Sequence, residues 1–121
     1  MVEGLDHLQL AIPEGGEDRA RAFYVDLLGL SEVAKPEALS GRGGLWLNGP
    51  DLALHLGVER PFRPAAKAHP AFRVASLDTA RARFADAGIE TLDDAPLPGL
   101  TRFFAQDPFG NRIEILERQD V

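Results

Sequence analysis

The alternation of apolar and polar residues near the start of the chain predicts a β-strand over residues 4–12. Leu10 and Ile12 share one phase of a period-two pattern, while His7 and Gln9 share the other. This pattern is typical of a strand with one buried face. The histidine and the glutamine should therefore lie on the face opposite to the apolar residues.

Helical spacing replaces this alternation in two later stretches. From Glu17 to Leu28 apolar residues recur every three or four positions, and Gly29 follows as a typical helix stop. The second stretch begins at Ser76 or Asp78, either of which could cap a helix, and Gly88 ends it. The sequence thus predicts two amphipathic helices.

The remaining predicted strands are short and are separated by turn residues. Residues 59–68 contain two prolines and are predicted to be a connecting loop. Strands are predicted at 30–34, 45–47, 52–58, 69–75, 89–92, 100–106 and 112–117. The order is strand, helix and three strands, repeated once, which gives one unit over about residues 1–60 and another over about 68–121.

Composition narrows the class of protein. The 121 residues are 45% hydrophobic and 26% charged, which fits one globular domain, and the absence of cysteine excludes disulfides and thiolate metal sites. The net charge of −6 argues against a nucleic-acid partner. No apolar run approaches the roughly 20 residues that span a bilayer, and the start of the chain is unlike a signal peptide. We expect a soluble cytoplasmic protein without a membrane partner.

All three histidines and one glutamate fall on the polar phase of separate predicted strands. His7 belongs to the first of these strands, His55 lies between two leucines, His69 opens a later strand and Glu114 lies between two isoleucines. Two histidines and one carboxylate suit a divalent metal ion with open positions for substrate, and Fe, Mn, Ni and Zn are all compatible.

Four stretches of the chain stand out as motifs: LDHLQLAIP, RAFYVDLLGL and DPFGNRIEIL, together with HPAFRVASLDTARARFADAGI at the start of the second unit. Together they resemble the vicinal oxygen chelate superfamily, which includes glyoxalase I, extradiol dioxygenases, fosfomycin-modifying enzymes and bleomycin-binding proteins. The resemblance implies an α+β fold. Two β-α-β-β-β units would form curved mixed sheets, with helices on the outer face and a cavity on the other.

The resemblance also implies a ligand set and reveals one departure from the family pattern. His7, His69 and Glu114 match the positions that hold one divalent metal ion. Glyoxalase I relatives carry a glutamate where this chain has Ala53 and His55, so glyoxalase chemistry itself is in doubt. His55 could act as a general acid or base, serve as a fourth ligand, or hydrogen-bond a neighbouring side chain.

Other polar and aromatic residues of the cavity phase are candidates for substrate binding. They are Gln9, Trp46, Lys67, Arg73, Arg102 and Phe104. Arginines suit an anionic substrate. Alternatively, they could pair with the acidic residues at positions 90, 93 and 94, and the aromatic residues could simply pack in the core.

Two classes of function follow. The first is a metal-dependent lyase, isomerase or dioxygenase acting on a small oxygen-chelating molecule. The second is a non-catalytic protein of the same fold that binds a drug or antibiotic. Because relatives often pair two chains, a homodimer is also expected.

Overall fold

The computed structural model describes residues 1–119 and divides the chain into two compact units, Met1–Pro64 and Ala65–Val121. The boundary falls within the proline-containing segment predicted to be a connecting loop. Among residues 1–119, no helix is long and apolar enough to cross a membrane.

The first unit contains a four-stranded mixed sheet. Its elements are β1 (Leu8–Ile12), α1 (Glu17–Ala20), a π-helical segment (Arg21–Leu27), β2 (Ser31–Val33), a 3₁₀ helix (Glu37–Arg42), β3 (Leu45–Gly49) and β4 (Leu52–Val58). The strand order is β1-β4-β3-β2, in which β1 is parallel to β4 and the other pairs are antiparallel.

The helix predicted from Glu17 to Leu28 is present, but most of it is wider than an α-helix. The N–H of Leu28 donates to the carbonyl of Phe23 at 3.0 Å, five residues earlier. Apolar spacing alone does not distinguish this bonding from the α-helical pattern, because both bury a similar stripe of side chains. Phe23 and Tyr24 form the buried side of the segment.

The second unit contains a three-stranded mixed sheet and one longer helix. Its elements are β5 (Ala71–Arg73), α2 (Leu77–Asp86), β6 (Leu100–Gln106) and β7 (Arg112–Arg118), with strand order β5-β7-β6. β5 is parallel to β7, and β6 is antiparallel to it. Ser76 caps α2, since its hydroxyl accepts from the N–H of Thr79 at 3.1 Å.

Two strand predictions in this unit need correction. Residues 89–92 do not form a strand: Leu92 makes only an isolated bridge with Phe104, and prolines soon after it prevent a continuing ladder. The strand predicted at 69–75 is shorter, because His69 and Pro70 precede β5. The second unit therefore has one strand fewer than the repeat predicts.

The two faces of the first sheet differ in character, as the alternation predicts. Leu10, Leu56 and Leu45 lie in register across β1, β4 and β3, and all three are buried. One position along each strand, Gln9, His55 and Trp46 form the neighbouring row on the opposite face. Each row of paired residues therefore faces either the core or the polar side of the sheet, and neighbouring rows face opposite sides.

The second sheet follows the same rule. Ile115 pairs with Phe103, both are fully buried, and the Phe103 ring meets Phe84 of α2 edge to face at 5.2 Å. Glu114 pairs with Phe104 on the other face. The helix therefore covers one face and leaves the glutamate on the opposite one, which confirms the predicted α+β architecture.

Candidate functional site

The polar face of the first sheet borders a pocket of about 570 Å³. We call it the first-unit pocket. The side chains on which its chemistry depends are His7, Gln9, Lys35, Arg42, Trp46 and His55. Four of these are candidates from the sequence. The two cations were not predicted, and they come from the segment between β2 and β3 that contains the 3₁₀ helix.

Three aromatic rings form a stack in this pocket. The His55 ring lies 3.9 Å from the Trp46 ring, with an angle of 5° between their planes. On its other side it lies 4.2 Å from the His7 ring at 21°. His55 is thus held between two rings, and this arrangement explains why a histidine and a tryptophan occupy paired positions of β4 and β3.

The stack lowers the pKa of His55 below its ordinary value of 6.5. Burial is the main cause, since it disfavours the charged imidazolium, and the neighbouring His7 acts in the same direction. Asp6 opposes them by favouring the charged form. His55 is therefore a neutral imidazole at neutral pH, as a general base requires.

The imidazole of His7 is oriented by the residue before it. Its Nδ1 lies 2.8 Å from Oδ1 of Asp6. An ionised carboxylate can only accept, so Nδ1 carries a proton, and in the neutral ring Nε2 keeps its lone pair. Asp6 was not predicted from the sequence, although its position directly before His7 could have indicated it.

In the second unit, His69 and Glu114 are direct neighbours. Nε2 of His69 lies 3.0 Å from Oε1 of Glu114, and Nδ1 of His69 lies 2.9 Å from the carbonyl oxygen of Lys67. A carbonyl only accepts, so Nδ1 must donate to it. The Nε2 lone pair then faces a carboxylate, an arrangement that needs a proton or a metal ion between the two atoms.

Arg102 holds the other oxygen of the same carboxylate. Its guanidinium Nη1 lies 3.5 Å from Oε2 of Glu114, and Nη2 donates to the carbonyl of Ala95 at 3.1 Å. Nη2 also lies 4.0 Å from a carboxylate oxygen of Asp94. The buried Nε of Arg102 has no hydrogen-bond partner among residues 1–119. Arg102 is thus a positioning group for Glu114.

Phe104 forms an apolar surface beside this pair. Its ring meets the His69 ring edge to face at 5.2 Å, and the Arg112 guanidinium lies 4.1 Å from its centroid. Phe104 and Arg112 also line a second cavity, of about 610 Å³. Phe104 is buried, so it contributes to the packing of the second unit as well as lining the site.

Two other predicted substrate residues, Lys67 and Arg73, lie at exposed positions of the second unit. Lys67 is exposed, and its backbone carbonyl rather than its ammonium contacts His69. Arg73 is exposed on β5, in register with Leu116. The alternative of rim ion pairs is realised in part, because Asp94 lies 4.0 Å from both Arg102 and Arg112.

The structure therefore gathers the candidate residues into one group in each unit. His7, Gln9, Trp46 and His55 belong to the first group, and His69, Arg102, Phe104 and Glu114 to the second. Within neither unit do three His, Asp or Glu side chains of the described residues form a set that could hold a metal ion.

Comparisons with known proteins show which family shares this architecture. The family model of the glyoxalase/bleomycin resistance protein/dioxygenase superfamily matches residues 4–115. A glyoxalase family protein from Bacillus anthracis is 46% identical with a TM-score of 0.92, and the match covers 98% of this chain and 97% of that one. No curated protein matches the chain.

More distant solved structures share the fold. The fosfomycin resistance protein FosX from Listeria monocytogenes is 16% identical with a TM-score of 0.78, covering 100% of this chain and 94% of its own. An integron cassette protein from V. cholerae is 23% identical with a TM-score of 0.73, covering 97% and 96%. With the family model spanning both units, the chain belongs to the glyoxalase/bleomycin resistance protein/dioxygenase superfamily.

Proposed function

We propose that the protein is a divalent-metal-dependent enzyme that acts on a small oxygen-chelating molecule as a lyase, isomerase or dioxygenase. His7, His69 and Glu114 are the proposed ligands of one Fe, Mn, Ni or Zn ion, and His55 is the proposed acid or base. Members of the superfamily commonly bind such an ion, and the local geometry of each proposed ligand fits that role.

The observation that carries the proposal is the state of the two imidazoles. In both His7 and His69 the Nδ1 atom donates to an oxygen, so Nε2 is the ring atom that would bind a metal ion, which in His69 would take the place of a proton shared with Glu114. Histidines that bind metals almost always donate their other ring N–H to a carboxylate or a backbone carbonyl. Asp6 and the carbonyl of Lys67 supply these two acceptors.

The spacing of His69 and Glu114 is a second point of agreement. Two donors each about 2.1 Å from one ion, at an angle of about 90°, stand about 3 Å apart. Nε2 of His69 and Oε1 of Glu114 are 3.0 Å apart. Arg102 engages the other carboxylate oxygen, as expected for a monodentate ligand whose second oxygen is held by a neighbour.

His55 suits proton transfer at such a site. When bound, the ion would polarise the oxygens of a chelating substrate. A neutral imidazole fixed between Trp46 and His7 could take up a proton from that substrate without first losing its own. Its lowered pKa favours the role of base over that of acid.

Metal titration of the purified protein tests the proposal. Wild type should bind about one divalent ion per chain, and His7→Ala and His69→Ala should each weaken binding by at least about tenfold. His55→Gln should retain the ion but lose turnover. Stoichiometric binding that survives both alanine changes would overturn the ligand assignment.

The alternative is a non-catalytic binding protein on the same fold. The stack of Trp46, His55 and His7 favours it, because an aromatic wall can bind a ligand without chemistry. In that case wild type would hold a small molecule while showing no metal uptake with any of the four ions. The metal titration therefore separates the two functions.

We also propose that the protein is a symmetric homodimer, as many relatives of this fold are. Light scattering after size exclusion would then give twice the chain mass of 13.1 kDa. A monomer at micromolar concentration would contradict this proposal and leave the metal proposal intact.

A further inference from the structure

We propose that the first-unit pocket binds the carboxylate or phosphate group of a small substrate through Lys35 and Arg42. The inference names the substrate class of the proposed enzyme, and its link to catalysis rests on the proposed function. Anion binding by the pocket can nevertheless be measured without metal.

Lys35 is the main observation, because this half-buried residue lines the pocket and its ammonium has no carboxylate partner among the described residues. Among residues 1–119 its Nζ has one hydrogen bond, to the carbonyl of Gly43 at 2.6 Å. An ammonium has three donors, so two remain for a ligand. No carboxylate among residues 1–119 forms an ion pair with this ammonium, so an anionic ligand would supply its missing counter-charge.

Arg42 adds a second cation to the same pocket. It ends the 3₁₀ helix and makes no ion pair with any acidic residue in the described part of the chain. A guanidinium is suited to a carboxylate or a phosphate because two parallel N–H groups can reach two oxygens. The chain thus presents one ammonium and one guanidinium to the same space.

The segment that carries both cations is tied down at its ends. Lys35 bonds to the carbonyl of Gly43, and the N–H of Gly44 donates to Oε2 of Glu17 at 2.8 Å. Fixing both ends reduces the conformational freedom that Arg42 loses when a ligand binds. The cations are therefore pre-positioned rather than placed on a free loop.

The rest of the pocket suits a small organic anion. Its volume of about 570 Å³ lies within the usual range for small-molecule sites. Trp46 and His55 supply an aromatic wall, and the Gln9 side chain lies over Gly57, where a larger residue would clash with it. The lining has Lys35 and Arg42 against the single acid Asp6, whereas the whole chain has a net charge of −6.

Trp46 is the sole tryptophan of the chain, so intrinsic fluorescence reports on this pocket. We would titrate metal-free protein with benzoate, phenyl phosphate, neutral benzamide and cationic benzylamine. Benzoate or phenyl phosphate, or both, should quench the Trp46 fluorescence in a saturable way. The relative affinities of the two anions then show whether the pocket prefers a carboxylate or a phosphate. Equal affinity for benzamide and for both anions would overturn the inference without requiring any variant.

Three variants locate the binding. Lys35→Met and Arg42→Met should each weaken anion binding by about tenfold or more, because each removes a charged hydrogen-bond donor. Arg63→Met, which removes an exposed cation outside the pocket, should leave it unchanged. Unchanged anion affinity in both pocket variants, with circular dichroism showing that they fold, would overturn the inference.

Metal titration of the same variants keeps the two proposals separate. Lys35→Met and Arg42→Met should bind metal as wild type does. If these two variants lose anion binding and still bind metal normally, both proposals are supported. Normal metal binding by a wild type that shows no preference for anions refutes only the inference, and anion binding without metal uptake refutes only the metal proposal.

Discussion

Nε2 of His69 and Oε1 of Glu114 lie 3.0 Å apart although the residues are separated by 45 positions in the chain. The parallel register of β5 and β7 brings them together: Ala71 pairs with Glu114, and the N–H of Glu114 donates to the carbonyl of Pro70 at 3.0 Å. The sheet therefore delivers the carboxylate to the histidine that precedes β5.

Replacing Glu114 with glutamine tests the carboxylate as a ligand. The amide keeps the shape but removes the charge, so we expect metal affinity to fall by about tenfold or more. Arg102 loses the nearer of its two anionic neighbours at the same time, which should destabilise the fold by about 1–3 kcal/mol. Isothermal titration and urea unfolding measure the two effects. Glu90→Gln, an exposed change in the same unit, is the matched control, and an equal metal affinity in both variants would contradict the assignment.

Asp6 is predicted to strengthen metal binding by His7, because it favours the tautomer of the His7 ring that carries its proton on Nδ1. Asp6→Ala removes the acceptor at Nδ1, so metal affinity should fall by about tenfold. Asp6→Asn keeps a neutral acceptor and should give an intermediate value. Nitrogen NMR of the His7 ring in the metal-free protein should show a shift from the Nδ1–H form toward a mixture of tautomers. Glu3→Ala is the control, and a tautomer unchanged in Asp6→Ala would refute the role of Asp6.

The division of each sheet into two faces could be predicted from the sequence because it depends only on alternation along each strand. His55 and Glu114 were assigned to the polar face in this way, and the register confirms it. The Trp46–His55–His7 stack was not predictable, since it depends on strand pairing between distant segments. Lys35 and Arg42 were missed because they lie in a loop and at the end of a short 3₁₀ helix, where the sequence has no periodicity that predicts which way a side chain points.

The turn before β7 should contribute strongly to stability. The Asn111 side chain donates to Oδ2 of Asp107 at 2.9 Å and accepts from the N–H of Ala65 at 2.9 Å, and it is 1% exposed. Asn111→Ala removes both of these buried hydrogen bonds, so the free energy of unfolding should fall by about 2–3 kcal/mol. Urea unfolding measures the loss. Gln119→Ala removes an exposed hydrogen bond in the same unit and should cost under about 0.5 kcal/mol.

Acid should weaken the ion pair between Arg21 and Glu32. Nε of Arg21 donates to Oε1 of Glu32 at 2.8 Å, and this bond holds the pKa of Glu32 below its ordinary value of 4.5. A carboxyl whose pKa is lowered on folding stabilises the protein above its unfolded pKa, and that stability is lost as pH falls through the folded value. Wild type should therefore lose stability more steeply below about pH 5 than Glu32→Gln does.

Thermal melts at several pH values and at low salt test this ion pair. Glu37→Gln changes an exposed acid that makes no ion pair in the described part of the chain, and its melting temperature should follow the pH profile of wild type. High salt should reduce the difference between wild type and Glu32→Gln, because both partners are substantially exposed to solvent. Parallel pH profiles for wild type and Glu32→Gln would show that the pair contributes nothing.

Gly44 should not tolerate a side chain, because there is no space for one. Comparison with the same substitution at Gly29 separates this steric effect from backbone strain. Both have φ of +81°, but a Cβ at Gly44 would overlap the carbonyl oxygen of Leu56, whereas a Cβ at Gly29 would meet open space. Gly29→Ala should cost about 1–2 kcal/mol from the positive φ alone. Gly44→Ala should cost clearly more in urea unfolding, and it should also weaken anion binding, because Gly44 anchors the segment that carries Arg42. Equal destabilisation by the two changes would show that the contact with Leu56 relaxes freely.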